Sequence, residues 1–113
     1  MVFRGNVYLT DLGNAVGSVQ EGIRPCIVMS NNTNNLHSPI IQVIPLTTSE
    51  KTALPIHYVL KSHIYKFLDK DSVALVEQFT TISKEQIIRY IGSLNESDLN
   101  KILTRLDIQL GRD

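Results

Sequence analysis

For most of its length the chain alternates short β-prone runs with polar or glycine-bearing breaks, and only its end shows the three-and-four spacing of a helix. Val7-Tyr8-Leu9-Thr10-Asp11-Leu12 reads as a first strand. Gly13, Gly17 and Gly22, among small and polar neighbours, then mark a long mobile loop. Pro25 to Met29 is a short apolar strand stopped by the cluster Ser30-Asn31-Asn32-Thr33-Asn34-Asn35. Ile40 to Leu46 is a third strand, with Pro39 tolerated at its edge or start. A polar turn covers residues 47–52. His57 to Leu60 reads as a short strand and Ser72 to Phe79 as a stronger one. Ile87 to Leu94 fits strand or helix, and its β-branched and aromatic content favours strand.

A helix follows, capped by Asn95 or Ser97. Leu99, Ile102, Leu103, Leu106 and Leu110 form its apolar face, with Asp98, Lys101, Arg105 and Gln109 opposite. Many short strands and one terminal helix imply a mainly β fold, a small curled sheet or barrel.

Composition narrows the picture. At 113 residues and 42% apolar content, residues 1–113 are expected to form a single domain that gains from dimerising. Lys plus Arg number 11, as do Asp plus Glu, which argues against coating nucleic acid by bulk charge but leaves room for a few placed cations. The single cysteine, Cys26, lies in an apolar run and reads as a buried small hydrophobe in a reducing compartment. Arg4, Gly5 and Asn6 interrupt any N-terminal leader core, and no apolar stretch is long enough to span a membrane. The expectation is a soluble cytoplasmic protein.

The common catalytic constellations are missing. His37, His57 and His63 lack metal-site spacing, and there is no second thiol. The glycines of 13–22 do not make a phosphate-cradling loop, which needs Gly-Lys-Ser or Gly-Lys-Thr entering a helix. His57 and His63 read as surface or half-buried residues in preference to an acid–base pair. What remains is polar groups at strand ends, above all Arg24. Pro25 holds Arg24 extended and so gives a long cation a defined launch angle beside a flexible loop. The plainer alternative is a strand-start arginine in a surface ion pair.

The order of these motifs resembles the MazF/PemK-type toxins. Arg4-Gly5-Asn6-Val7-Tyr8, Asp11-Leu12 and Gly17-Ser18-Val19-Gln20-Glu21-Gly22-Ile23-Arg24-Pro25 carry the resemblance. It continues through Val28, Asn31, Ser38-Pro39, Pro45-Leu46-Thr47, Leu54-Pro55 and Asp71-Ser72-Val73-Ala74-Leu75-Val76-Glu77-Gln78 to the terminal helix. The resemblance implies an SH3-like small barrel of the MazF/CcdB/PemK plasmid-toxin kind, closed by a C-terminal helix and homodimeric. It implies a sequence-specific endoribonuclease that cuts single-stranded mRNA without metal or other cofactor, leaving 2′,3′-cyclic phosphate and 5′-hydroxyl ends. It also implies a cognate MazE-type antitoxin whose C-terminal segment covers the RNA site, DNA contact only indirectly through that complex, and no membrane partner.

By position, Arg24 matches the family's catalytic arginine and Thr47 its threonine, with Thr48 the neighbouring candidate. Ser18, Gln20, Asn31 and Glu77 match positions lining or near the RNA groove. His37 stands where an aromatic is usual and retains a ring able to stack on a base. Two departures stand out: Asn6 replaces an acidic residue at a turn, and Thr80 replaces an arginine near the site. The rival readings are a CcdB-type binder of DNA gyrase and a non-catalytic RNA- or antitoxin-binding homologue. The Arg24–Thr47 pair favours the nuclease, because a gyrase binder has no need of it.

Overall fold

The computed structural model describes residues 1–48 and 54–112. Among them seven strands run in chain order: β1 (Asn6–Asp11), β2 (Ile23–Val28), β3 (Ile40–Thr47), β4 (Tyr58–Leu60), β5 (Ser72–Ala74), β6 (Thr80–Ser83) and β7 (Ile87–Ser93). Two α-helices accompany them, α1 (Asn32–His37) and α2 (Glu96–Gln109), with single 3-10 turns at Val76–Gln78 and Lys84–Gln86. The pairing is antiparallel throughout, in the order β4-β5-β3-β2-β1-β7, with β6 also on β3.

One edge of β3 is divided. Its first half, Ile40–Val43, pairs with β6, and Leu46 and Thr47 pair with Ala74 and Val73 of β5. A strand of 8 residues serving two short partners turns the sheet back on itself. The outcome is the expected mainly β architecture with a C-terminal helix.

The central strands are covered on both faces, so they read as near-continuous apolar runs. Val7, Ile27, Ile44 and Leu46 point into a core shared with Ile102 and Leu106 of α2. Their neighbours Tyr8, Cys26, Val28, Ile41 and Val43 form a second cluster with Ile82. Successive residues serving opposite clusters is the period of two that extended chain imposes. Cys26 is fully buried, and burial pushes its thiol up to about 12, so it packs as a hydrophobe.

Three local expectations change. The asparagine cluster after β2 does not merely stop a strand but builds α1. Asn31 caps it by accepting from the Asn34 amide (2.8 Å), and the fully buried Asn35 side chain exchanges hydrogen bonds with Ser30. The expected strand over Ser72–Phe79 ends at Ala74, because the Leu75 amide turns onto the Pro45 carbonyl (3.0 Å) and the chain winds into the 3-10 turn Val76–Gln78. The strand β6 that follows was not expected. The polar turn at 47–52 falls mostly outside the described residues.

At the helix, Asn95 is the cap, accepting from the Asp98 amide (2.8 Å). Leu110, expected on the apolar face, lies beyond the end of α2 and is 57% exposed. Asp98 is not simply on a solvated face: it accepts hydrogen bonds from the hydroxyls of both Tyr58 and Tyr65. The Arg105 guanidinium lies 4.8 Å from the centre of the Tyr58 ring.

This cluster ties α2 to the sheet and makes stability depend on pH. Burial works against the Asp98 charge, but the two phenolic donors outweigh it and lower its pKa. Burial, then the adjacent carboxylate, pushes both tyrosines up to about 12. A lowered carboxylate pKa contributes stability above the unfolded value near 4, lost as pH falls. Raised phenol pKa values contribute stability below about 10, lost as pH rises towards 12. Asp98→Asn, which removes the charge, is expected to cost about 1–3 kcal/mol at neutral pH and to shrink the acid dependence of the thermal midpoint. Tyr65→Phe is expected to shrink the alkaline dependence. Melting curves from pH 3 to 11 that match wild type for both variants would contradict this.

Candidate functional site

The β2–β3 ladder pairs Cys26 with Pro45, Ile27 with Ile44 and Val28 with Val43. The ladder ends at Cys26 and Pro45, and Arg24 and Thr47 lie two residues beyond it on their respective strands. On the other side Arg24 pairs with Thr10 of β1. By strand alternation Arg24 shares a face with Cys26, and Thr47 with Pro45 and Val43, so both catalytic candidates belong to one face of the sheet.

Arg24 is half-buried, and its Nε donates to the carbonyl of Glu21 (3.1 Å). Among the described residues it has no carboxylate partner; the ion pairs there are His57–Glu77 and Lys61–Asp71. The plain alternative of a surface ion pair therefore finds no support among the described residues. Thr47 is 8% exposed at the end of β3, and Thr48 beside it is exposed.

The glycine-bearing loop is held at both ends. The Leu12 amide donates to the Gly22 carbonyl and the Gly22 amide to the Gly13 carbonyl, each at 2.8 Å. Gly13 and Gly22 sit at φ +71° and +75°, where a side chain would be strained. The loop's far side is gripped by Gln78: its Oε1 accepts from the Gln20 amide (2.7 Å) and its Nε2 donates to the Ser18 carbonyl (3.1 Å). A loop expected to be mobile is thus tied to the turn carrying Glu77. Between them lies a cavity of about 370 Å³ walled by Gln20, Pro45, Glu77, Gln78, Phe79 and Thr80. Thr80, at the position of the family arginine, leaves this wall without a cation. The Gln20 Oε1 is buried there with no donor among the described residues.

Glu77 has a partner that its sequence neighbours do not reveal. His57 Nε2 lies 2.8 and 3.0 Å from its two carboxylate oxygens. The Leu54 amide donates to His57 Nδ1 (3.2 Å), so Nδ1 holds a lone pair and Nε2 carries the proton that Glu77 accepts.

The structure therefore gathers Ser18, Gln20, Arg24, Thr47, Thr48 and Glu77 at one end of the β2–β3 pair. Asn31 and His37 belong to α1, at the other end. From Arg24 to Val28, the end of β2, the extended chain runs four residues, about 13 Å, before α1 begins. Asn31 spends its side-chain oxygen on capping, and His37 is exposed in the last turn of α1. Gln78 and His57 were missed as site residues. The Glu77-Gln78 pair marked the segment, but nothing local links His57 to a carboxylate 20 positions on. Among the described residues no three His, Cys, Asp or Glu side chains cluster as a metal site, and no helix is long and apolar enough to cross a membrane.

Residues 3–110 match the family model for PemK-like, MazF-like toxins of type II toxin–antitoxin systems. The chain is similar to the endoribonuclease MazF of Staphylococcus epidermidis, 40% identical over 112 residues, 98% of this chain and 92% of the relative. A solved mycobacterial endoribonuclease in complex with its cognate antitoxin is 27% identical, with a TM-score of 0.78 over 100% of this chain and 98% of that one. MazF of Deinococcus radiodurans, at 21% identity, shares the fold, with a TM-score of 0.83 over 97% of this chain and 96% of that one.

If Gln78 holds the loop, Gln78→Ala should release it. Hydrogen exchange at the Gln20 amide is expected to speed up by about tenfold or more, as the loss of one hydrogen bond of roughly 1.5 kcal/mol implies, while β1 and β2 keep their protection. Unchanged exchange at Gln20 would contradict the contact.

Proposed function

Since this chain belongs to the PemK-like, MazF-like toxins of type II toxin–antitoxin systems, we propose that it is a metal-independent endoribonuclease that cuts single-stranded RNA at short sequences through Arg24 and Thr47. The observation that carries this reading is the β2–β3 ladder ending at Cys26–Pro45: by strand alternation it puts Arg24, which has no carboxylate partner among the described residues, and Thr47 two residues beyond it on the same face. The substrate supplies its own nucleophile. The 2′-oxygen attacks the adjacent phosphorus and gives up its proton, the bond to the 5′-oxygen breaks, and that oxygen takes a proton as it leaves. The products are a 2′,3′-cyclic phosphate and a 5′-hydroxyl.

Charge gathers on the phosphoryl oxygens during this step. The Arg24 guanidinium, with its fixed fork of donors, is suited to clamp them, and the Thr47 hydroxyl to donate to the developing oxyanion. A guanidinium holds its proton too tightly to make a ready acid, so its role is electrostatic. Ser18, Gln20, Thr48 and Glu77 surround this centre with hydroxyls, amides and one carboxylate, groups that read the edges of splayed bases. Asn31 and His37 meet RNA only several nucleotides from the cut, or from a second copy in a homodimer. The mycobacterial relative solved with its cognate antitoxin supports an antitoxin as the partner here; we propose that it is of the MazE type, acts in the cytoplasm and alone links the protein to DNA.

Incubation with a long single-stranded RNA in EDTA is expected to give a few discrete fragments ending in cyclic phosphate. Arg24→Ala should lower the rate by about 10²-fold or more. Thr47→Val should do likewise while Thr48→Val retains cutting, which assigns the hydroxyl. RNA left intact across diverse sequences would sink the enzyme reading and favour a gyrase-binding or non-catalytic protein.

A further inference from the structure

We propose that His57 is a positioning residue of the ribonuclease site, tying the Leu54–His57 turn to the Glu77–Gln78 turn and, through Gln78, to the loop before Arg24. The proposal rests on the reading that Arg24 and Thr47 cleave RNA.

A run of hydrogen bonds forms a continuous path. At Leu54 a tight turn closes: the His57 amide donates to the Leu54 carbonyl (2.9 Å), and the Leu54 amide donates to His57 Nδ1 (3.2 Å). The same ring reaches out through Nε2–H to both carboxylate oxygens of Glu77. Gln78, next in the same 3-10 turn, grips the opposite loop at Ser18 and Gln20. One imidazole thus joins the turn at Leu54–His57 to the loop before Arg24 through a single helical turn. The His57 side chain is only 10% exposed and that of Glu77 25%, so little water competes for their contact. With Nδ1 occupied by Leu54 and Nε2 by Glu77, neither ring nitrogen remains to exchange a proton with substrate. His57 therefore acts through its neighbours. A displacement of about 1 Å in a reacting group can cost 10²-fold in rate, so the brace has catalytic weight without touching RNA.

Isosteric replacement separates the two halves of the ring. In His57→Gln the side-chain amide can take the Nε2 position and still donate to Glu77; in His57→Asn it can take the Nδ1 position but falls short of Glu77. With a short RNA bearing the mapped cut site, His57→Asn is expected to lose about tenfold or more in kcat, and His57→Gln to recover most of it at a similar melting temperature. The double variant His57→Asn/Glu77→Gln should be no slower than the slower single, because both break one link. Equal kcat for His57→Asn and wild type, or losses that track melting temperature alone, would overturn the brace. Imidazole ¹⁵N shifts report the contact independently of cutting: Nε2 should be protonated in wild type, and its proton should lose protection in Glu77→Gln. A wild type that leaves RNA intact, or an Arg24→Ala as fast as wild type, counts instead against the nuclease reading.

Discussion

The register of β2 against β3 decides which side chains meet at the open end of the sheet. Three pairs fix it, and all three are buried: Cys26 with Pro45, Ile27 with Ile44 and Val28 with Val43. A slip by one residue would turn Ile27 and Ile44 out of one apolar cluster and Cys26, Val28 and Val43 out of the other. The packing cost of that slip falls on both faces at once. The strand ends that carry Arg24 and Thr47 thus leave a ladder fixed by core packing, and that is what brings the two residues onto one face.

Around this fixed pair the structure arranges adjustable parts. The loop from Gly13 to Gly22 and the turn at Leu54–His57 are joined through the turn at Val76–Gln78. Glu77 and Gln78 face opposite ways from one turn, one taken by His57 and the other by the loop backbone. Specificity in such an arrangement comes from neutral donors and acceptors and from shape, consistent with a chain of balanced charge and a threonine at position 80. The Asp98 cluster with Tyr58 and Tyr65 does separate work, seating α2 against the core that fixes the register.

Much of this was legible in the amino-acid order. The strands over Val7–Leu12, Pro25–Met29, Ile40–Leu46 and Ile87–Leu94 follow from β-branched runs between breakers, and each appears within a few residues of expectation. The Arg24–Pro25 step and the motif order pointed to the site. What was hidden depends on contacts distant in sequence. Asn31 to Asn35 look like a breaker until Ser30, Arg4 and Lys84 satisfy the polar groups of a short helix there. The Ser72–Phe79 run has strand composition throughout, yet the Pro45 carbonyl captures Leu75 and bends it. His57 looked like an ordinary half-buried histidine because its partner lies across the fold. Asp98 looked solvated because helical spacing says nothing of two tyrosines contributed by other elements.

The joint action of Arg24 and Thr47 is tested most directly by a crystal structure with a single-stranded oligonucleotide that carries 2′-deoxyribose at the mapped cut site, so that no nucleophile is present. The scissile phosphate is expected to lie between the two side chains, with its oxygens within hydrogen-bond reach, about 2.7–3.1 Å, of the Arg24 guanidinium and the Thr47 hydroxyl. A phosphate seated elsewhere, with Arg24 and Thr47 both left without contact to RNA, would contradict it.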